Sequence, residues 1–246
     1  MSDHGKVALI TGANKGIGFE TARQLGREGV TVLVGARSLE KAEQAAAKLR
    51  GEGIQAEPIK LDVTSEADRK AAAQQIESKY GKLDILVNNA GIMVEETWGA
   101  NDSDKVSVDT LRQTFETNFF APVALTQEML PLLKKAPAAR IVNLSSILGS
   151  LTHHGDRKSP IYNSKPLGYN ASKTALNAFT VHLAHALRGT KIKVNSAHPG
   201  WVKTDMGTDA APMNVEDGAK TGVALALAGD DSPNGAYIHQ GQTLPW

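Results

Sequence analysis

Tyr169 and Lys173 stand four residues apart in the stretch Tyr169-Asn170-Ala171-Ser172-Lys173. On a helix that spacing stacks the two side chains one turn apart on the same face. A free phenol titrates near ~10 and exchanges protons poorly at neutral pH. A neighbouring ammonium favours the phenolate and lowers that value, so the pair reads as a general acid–base unit. The same five-residue pattern also arises by chance, as a surface Tyr beside a solvated Lys. What the rest of the chain brings to the pair decides between the two.

A second chemical signal lies near the start. The apolar run Val7-Ala8-Leu9-Ile10 leads directly into Thr11-Gly12-Ala13-Asn14-Lys15-Gly16-Ile17-Gly18 and then a helical pattern to about Glu28. Strand, glycine-rich turn and helix form the context in which glycines admit a pyrophosphate close to the backbone, with amide donors at the helix N-terminus. The spacing is Gly-x3-Gly-x-Gly. The second strand, Val30 to Val34, ends in Gly35-Ala36-Arg37-Ser38, with no acid between Val30 and Leu39. An acid there would bind ribose hydroxyls, whereas an Arg accommodates a 2′-phosphate. Arg37, joined by Lys15, therefore favours NADP(H) over NAD(H), through charge-assisted contacts to a dianion.

The elements that position these residues alternate. A helix from Leu39 to Arg50, N-capped by Ser38, precedes a strand from Ala56 to Leu61. Asp62-Val63 follow at that strand's end, where a carboxylate meets an adenine amino group. After a helix to Tyr80 comes the strand Asp84 to Val87, ending in Asn88-Asn89-Ala90-Gly91. Such small and amide residues suit the ligand crevice at the carboxyl ends of an open sheet. Ile92 to Asp109 reads as irregular. A long helix from Thr110 to Lys135 is expected to kink at Pro122 and Pro131. The strand Arg140 to Leu144 ends in Ser145-Ser146, and a polar stretch, Gly149 to Gly168, precedes the helix carrying Tyr169 and Lys173. A strand from Ile192 to Ser196, a helix from Val215 to Ala228 and a short strand at Ala236 to Ile238 complete the order. We expect one α/β domain over residues 1–246: a Rossmann-type, doubly wound parallel sheet of about seven strands with helices on both faces.

Bulk properties remove other classes. Lys and Arg total 27 against 26 Asp and Glu, a net charge of +1, which is no nucleic-acid footprint. The absence of Cys excludes disulfides, thiol nucleophiles and Cys-based zinc sites. No apolar run reaches the ~20 residues of a membrane span, and no signal peptide is visible, so a cytoplasmic location is expected. No metal site is expected either, because adjacent His153 and His154 diverge.

With Thr11 through Gly18, Asn88 through Gly91, Ser146 and the Tyr169/Lys173 pair in this order, the whole chain resembles the short-chain dehydrogenase/reductases. Ala13 through Gly18 and Pro199 through Met206 make it most similar to their carbonyl reductase branch, which uses NADPH. The resemblance implies that Tyr169 is the general acid in carbonyl reduction, or the base in the reverse direction. It implies that Lys173 lowers the phenol's pKa and holds the nicotinamide ribose, and that Ser146 stabilises the developing oxyanion. It makes Asn118 part of a proton relay from Lys173. Asn89 and Gly91 would lie along the adenosine side of the cofactor, Val202 and Thr204 would orient the nicotinamide carboxamide, and Ala90 and Pro199 would also bind the cofactor.

The span from Ser146 to Tyr169 is longer than the family usually shows. Its extra residues, among them His153, His154, Asp156, Arg157 and Lys158, are expected beside the active-site mouth, or over helices that build the family's common tetramer. A monomer or dimer is therefore expected. Met93, Val94, Trp98, Leu148, Trp201 and Met206 are candidates for an apolar substrate pocket and equally for plain core. Two alternatives keep the same fold: an NADP(H)-binding redox sensor without turnover, and an alcohol dehydrogenase working in the oxidative direction.

Overall fold

All five residues of the first strand and all six of the second are buried. Strands covered on both faces are the signature of a parallel sheet between helix layers. The computed structural model describes residues 5–95 and 103–246, so Trp98 lies outside the described residues. In chain order the elements are β1 (Val7–Thr11), α1 (Gly16–Arg27), β2 (Thr31–Ala36), α2 (Leu39–Gly51), β3 (Ala56–Lys60), α3 (Glu66–Tyr80) and β4 (Ile85–Asn88). Then follow α4 (Val108–Phe115), α5 (Ala121–Leu133), β5 (Arg140–Leu144), α6 (Leu151–Gly155) and α7 (Leu167–Ala186). β6 (Lys193–Ala197), α8 (Val215–Leu227), β7 (Tyr237–His239) and β8 (Gln242–Thr243) close the chain.

The sheet order is β3-β2-β1-β4-β5-β6-β7-β8. It is parallel up to β7, while β8 pairs antiparallel with β7. The sheet thus has eight strands where about seven were expected; a two-residue strand is too short to show alternation. Successive β1 residues face opposite layers. Ala8 and Ile10 join a core with residues of α1, α2 and α8, and Val7 and Leu9 join one with residues of α3, α5 and α7. Strand order reverses between β1 and β4, the switch point at which open α/β sheets bind ligands.

The helix expected over Thr110 to Lys135 is built otherwise. α4 and α5 are joined by a π-helical turn, Glu116–Phe120, in which the Ala121 N–H bonds back to the Glu116 carbonyl. Pro122 follows at the start of α5 and has no N–H to give to the helix ladder. Pro131 lies inside α5, which continues to Leu133. The stretch after Ser146 is also more ordered than expected: Ile147–Gly149 form a 3₁₀ turn and α6 follows.

Candidate active site

The carboxyl ends of β1, β4, β5 and β6 converge on one edge of the sheet, and each releases a segment that lines it. After β1, Gly12 and Gly16 have φ of 63° and 59°, left-handed backbone that side-chain-bearing residues adopt at a cost. Asn89 and Ala90, after β4, donate their backbone N–H groups to Thr11 Oγ1 at 3.0 and 2.9 Å. The Asn89 side chain donates to the Thr11 carbonyl at 2.7 Å. Asn89 thereby fastens the glycine turn to the neighbouring strand end.

On the catalytic side, α7 lays Tyr169 and Lys173 toward the end of β5. The Lys173 ammonium donates to the Leu144 carbonyl at 2.8 Å and lies 5.6 Å from the Tyr169 ring centre. Ser146 follows β5, and its hydroxyl hydrogen-bonds the Tyr169 phenol. Gly149 lets the turn after Ser146 rest on α7. A Cβ there would stand 2.8 Å from the Lys173 carbonyl carbon and 2.9 Å from its Cβ. Ser146, Tyr169 and Lys173 are all at least nine-tenths buried.

Burial sets the electrostatics. It pushes the Tyr169 phenol up to about 12, with the Ser146 hydrogen bond pulling the other way. It pushes the Lys173 ammonium down to about 8. The expectation that Lys173 lowers the phenol's pKa is therefore not met in this structure. Withdrawing the charged form from water sets the direction, and the Ser146 hydrogen bond is what opposes it.

Asn118 does not point to solvent, as a mid-helix Asn commonly does; it is fully buried. Its amide donates to the Ile92 carbonyl at 2.8 Å and to Ser172 Oγ at 3.0 Å, and its Oδ1 accepts from the Ile92 N–H at 2.8 Å. It ties the β4 connection to α7. Gly91 lies between Asn118 and Lys173. A Cβ there would be 3.4 Å from Asn118 Oδ1 and 3.5 Å from Lys173 Nζ, which puts Gly91 on the catalytic side.

The remaining expected residues are spread along the same edge. Arg37 is exposed at the end of β2. Lys15 pairs with Asp205 in the segment after β6, an exposed ion pair. That segment crosses the glycine turn: a Cβ at Gly16 would be 3.6 Å from Thr204 Cγ2. Val202 is buried. Asp62 is occupied locally, its carboxylate accepting from the Thr64 N–H and hydroxyl at 3.0 and 2.7 Å, and Val63 is buried. Asn14 and Ile17 are half-buried within the glycine turn. Of the pocket candidates, Leu148 is buried, Met93, Val94 and Met206 are half-buried, and Trp201 is exposed while donating to the Gly207 carbonyl.

The added segment after Ser146 docks beside it. Ser150 Oγ donates to the Pro245 carbonyl at 2.8 Å, and the Thr152 N–H donates to the Trp246 carbonyl at 3.0 Å. His154 Nε2 reaches the Leu148 carbonyl at 2.9 Å, while His153 Nδ1 faces Ser159. Among the described residues no three His, Asp or Glu side chains are grouped to hold a metal ion. Nor is any described helix long and apolar enough to cross a membrane.

Two buried groups escaped the reading of the chain. His198, just after β6, accepts through Nδ1 from the N–H groups of Ile147 and Gly200 at 3.2 and 3.3 Å. It joins the turn after Ser146 to the segment carrying Val202 and Thr204. Burial, then the charges of His239 and His153, push it down to about 3, so it is neutral and free to accept. Glu95 accepts from the Tyr169 N–H at 3.0 Å. The only signal for either was a polar residue beside a motif.

Known proteins resemble this chain in sequence and in fold. Residues 6–214 match the family model described as short chain dehydrogenase. Carbonyl reductase [NADPH] 1 of Mus musculus is 32% identical over 284 residues, covering 100% of both chains. The (-)-isopiperitenone reductase of Mentha piperita is 31% identical, covering 99% of each. Among solved structures, NADPH-bound carbonyl reductase from chicken fatty liver superposes with a TM-score of 0.83 at 29% identity, covering 98% of this chain and 99% of that one. Salutaridine reductase from Papaver somniferum gives a TM-score of 0.82 at 29% identity, covering 96% and 100%. With the glycine turn, the buried Ser146/Tyr169/Lys173 group and the family match over most of its length, this chain belongs to the short-chain dehydrogenase/reductase family.

Proposed function

We propose that this protein is an NADP(H)-dependent oxidoreductase that reduces a ketone or aldehyde, with Tyr169 as the general acid. The observation that carries the reading is the buried convergence of Ser146, Tyr169 and Lys173 beside the glycine turn. The residues fit the cofactor. Gly12 and Gly16 turn the backbone through left-handed φ at the N-terminus of α1, where amide donors suit a pyrophosphate. Arg37 is exposed where a 2′-phosphate would lie, and among the described residues no salt bridge engages it. Two of the relatives carry NADPH in their names.

When bound, the nicotinamide supplies the hydride. The chain's own groups handle the oxygen and its proton. The Ser146 hydroxyl donates to the substrate carbonyl oxygen and favours the charge that develops there. The Tyr169 phenol, protonated at neutral pH because burial holds its pKa high, delivers the proton. Lys173, held on the Leu144 carbonyl, offers its remaining N–H groups to a ribose hydroxyl and to the phenol. The Asn118 side chain is engaged with Ile92 and Ser172, so its part in a proton relay is to hold the β4 connection and α7 together beside Lys173.

The reverse oxidation uses the same residues, but it needs the phenolate, which burial disfavours. The test is NADPH oxidation across aromatic, aliphatic and cyclic carbonyls, with the alcohol product identified. Turnover of at least one class with NADPH preferred over NADH is the expected result. Tight NADPH binding with no oxidation across the panel would favour the sensor reading instead.

A further inference from the structure

We propose that Glu95 is a positioning residue for Tyr169: its carboxylate caps α7 on the very N–H of the residue whose phenol donates the proton. The inference rests on the reading of Tyr169 as general acid and adds a residue outside that group.

A helix leaves its first amides without intrahelical partners, and a side-chain oxygen at the N-cap commonly takes one. α7 has Pro166 at that position, which has no side-chain oxygen, and no acid in its first turn. Its hydrogen-bond ladder begins only with the Asn170 N–H on the Pro166 carbonyl. Glu95, 74 positions earlier, supplies the missing acceptor: Oε1 takes the Tyr169 N–H at 3.0 Å. A carboxylate at a helix N-terminus is favoured by the helix dipole, and the bond is charge-assisted.

Two further observations show that the contact is built. Glu95 is only 8% exposed, and its Oε2 is buried with no hydrogen-bond partner among the described residues. A buried carboxylate with one oxygen unspent is costly and is kept where its other oxygen matters. The neighbouring Gly168 has also been kept bare: a Cβ there would stand 2.6 Å from Glu95 Oε1 and 3.3 Å from Cδ. The pair Glu95/Gly168 thus sets the height of the first turn of α7. Glu95 follows Gly91 closely in the β4 connection, so it ties that connection to the helix that carries the phenol. Proton transfer is sensitive to displacements of well under ~1 Å, so such a tether acts on turnover before it acts on cofactor binding.

The test compares Glu95→Ala, Glu95→Gln, Gly168→Ala and the double variant Glu95→Ala/Gly168→Ala. For each, kcat with an accepted carbonyl is measured beside NADPH affinity by fluorescence titration. Glu95→Ala is expected to lower kcat about 10–100-fold while NADPH affinity stays within about threefold. Glu95→Gln keeps an acceptor oxygen and is expected to regain most of kcat. Gly168→Ala is expected to lower kcat in the native background and to cost little more once Glu95 is Ala, the non-additivity of two groups that collide. Wild-type kcat in Glu95→Ala, equal losses in Glu95→Ala and Glu95→Gln, or an equal cost of Gly168→Ala in both backgrounds would each overturn the proposal. Should Glu95→Ala not fold, Glu95→Gln and Gly168→Ala decide it on the same readouts: wild-type kcat in Gly168→Ala, or a loss in Glu95→Gln as deep as in Gly168→Ala, overturns it. Tyr169→Phe separates the two layers. Full activity there removes the acid reading itself; an inactive Tyr169→Phe with a fully active Glu95→Ala removes only Glu95.

Discussion

The two halves of the crevice are built in opposite ways. On the catalytic half, Asn118, Ser146, Tyr169 and Lys173 are all buried, and each is held by partners far away in the chain. On the phosphate half, the side chains of Lys15 and Asp205 are 67% and 78% exposed, and Arg37 is exposed as well. The contrast fits the role proposed for each half. Proton transfer needs tuned acidity and fixed distances, which burial and cross-links provide. Phosphate recognition needs cations that stay hydrated until a dianion arrives, and water-exposed side chains do that without destabilising the fold.

The comparison predicts effects of very different size. Among substitutions outside the Ser146, Tyr169 and Lys173 group, the largest is expected for Gly149→Ala. Its Cβ would meet backbone atoms of α7 at 2.8 Å, so the turn carrying Ser146 must lift from Tyr169. Loss of carbonyl stabilisation of this kind costs about 10²–10³-fold in kcat, with NADPH affinity much less affected. Comparable losses in both, or in neither, would show that the halves are not separable.

The next effect is in pH. Burial places Lys173 at about 8, so its ammonium is lost as pH rises through that value. Tyr169, at about 12, stays protonated throughout the usual range. The value of kcat/KM for NADPH, which reports groups of the free enzyme, is expected to fall about tenfold per unit above pH 8. A profile flat to pH 10 would contradict the assignment. Oxidation of an alcohol, which uses the phenolate, gains from that group while it loses from Lys173, so it is expected to fall less steeply than reduction across the same range.

The smallest effect belongs to the exposed half. Asp205→Asn releases Lys15 from its ion pair and is expected to tighten NADPH binding no more than a few-fold, the change shrinking in high salt. Weaker binding would show that the pair holds the glycine turn instead.

Local patterns carried the fold. Continuous apolar strands, the glycine turn after β1 and the Tyr/Lys helix are all short-range signals, and each lies where its pattern placed it. What stayed hidden depends on distance in the chain. The π-helical turn at Asn118 required knowing that Ile92 and Ser172 would close on its side chain. Glu95 and His198 act on backbone N–H groups, which every residue has, so nothing at the receiving end marks them. The phenol's raised pKa was missed because spacing reports the neighbour and not the burial. β8 is two residues of a hairpin whose pairing, not its sequence, defines it.

The separation of the two halves is tested most directly by a crossed measurement. Turnover at saturating cofactor and cofactor affinity are determined side by side in Tyr169→Phe and Arg37→Ala. Tyr169→Phe is expected to lose about 10²–10⁴-fold in turnover while binding NADPH nearly normally. Arg37→Ala is expected to keep its turnover at saturation and lose most of its preference for NADPH over NADH. Substantial turnover in Tyr169→Phe, or equal use of the two cofactors by the unmodified enzyme, would contradict the account.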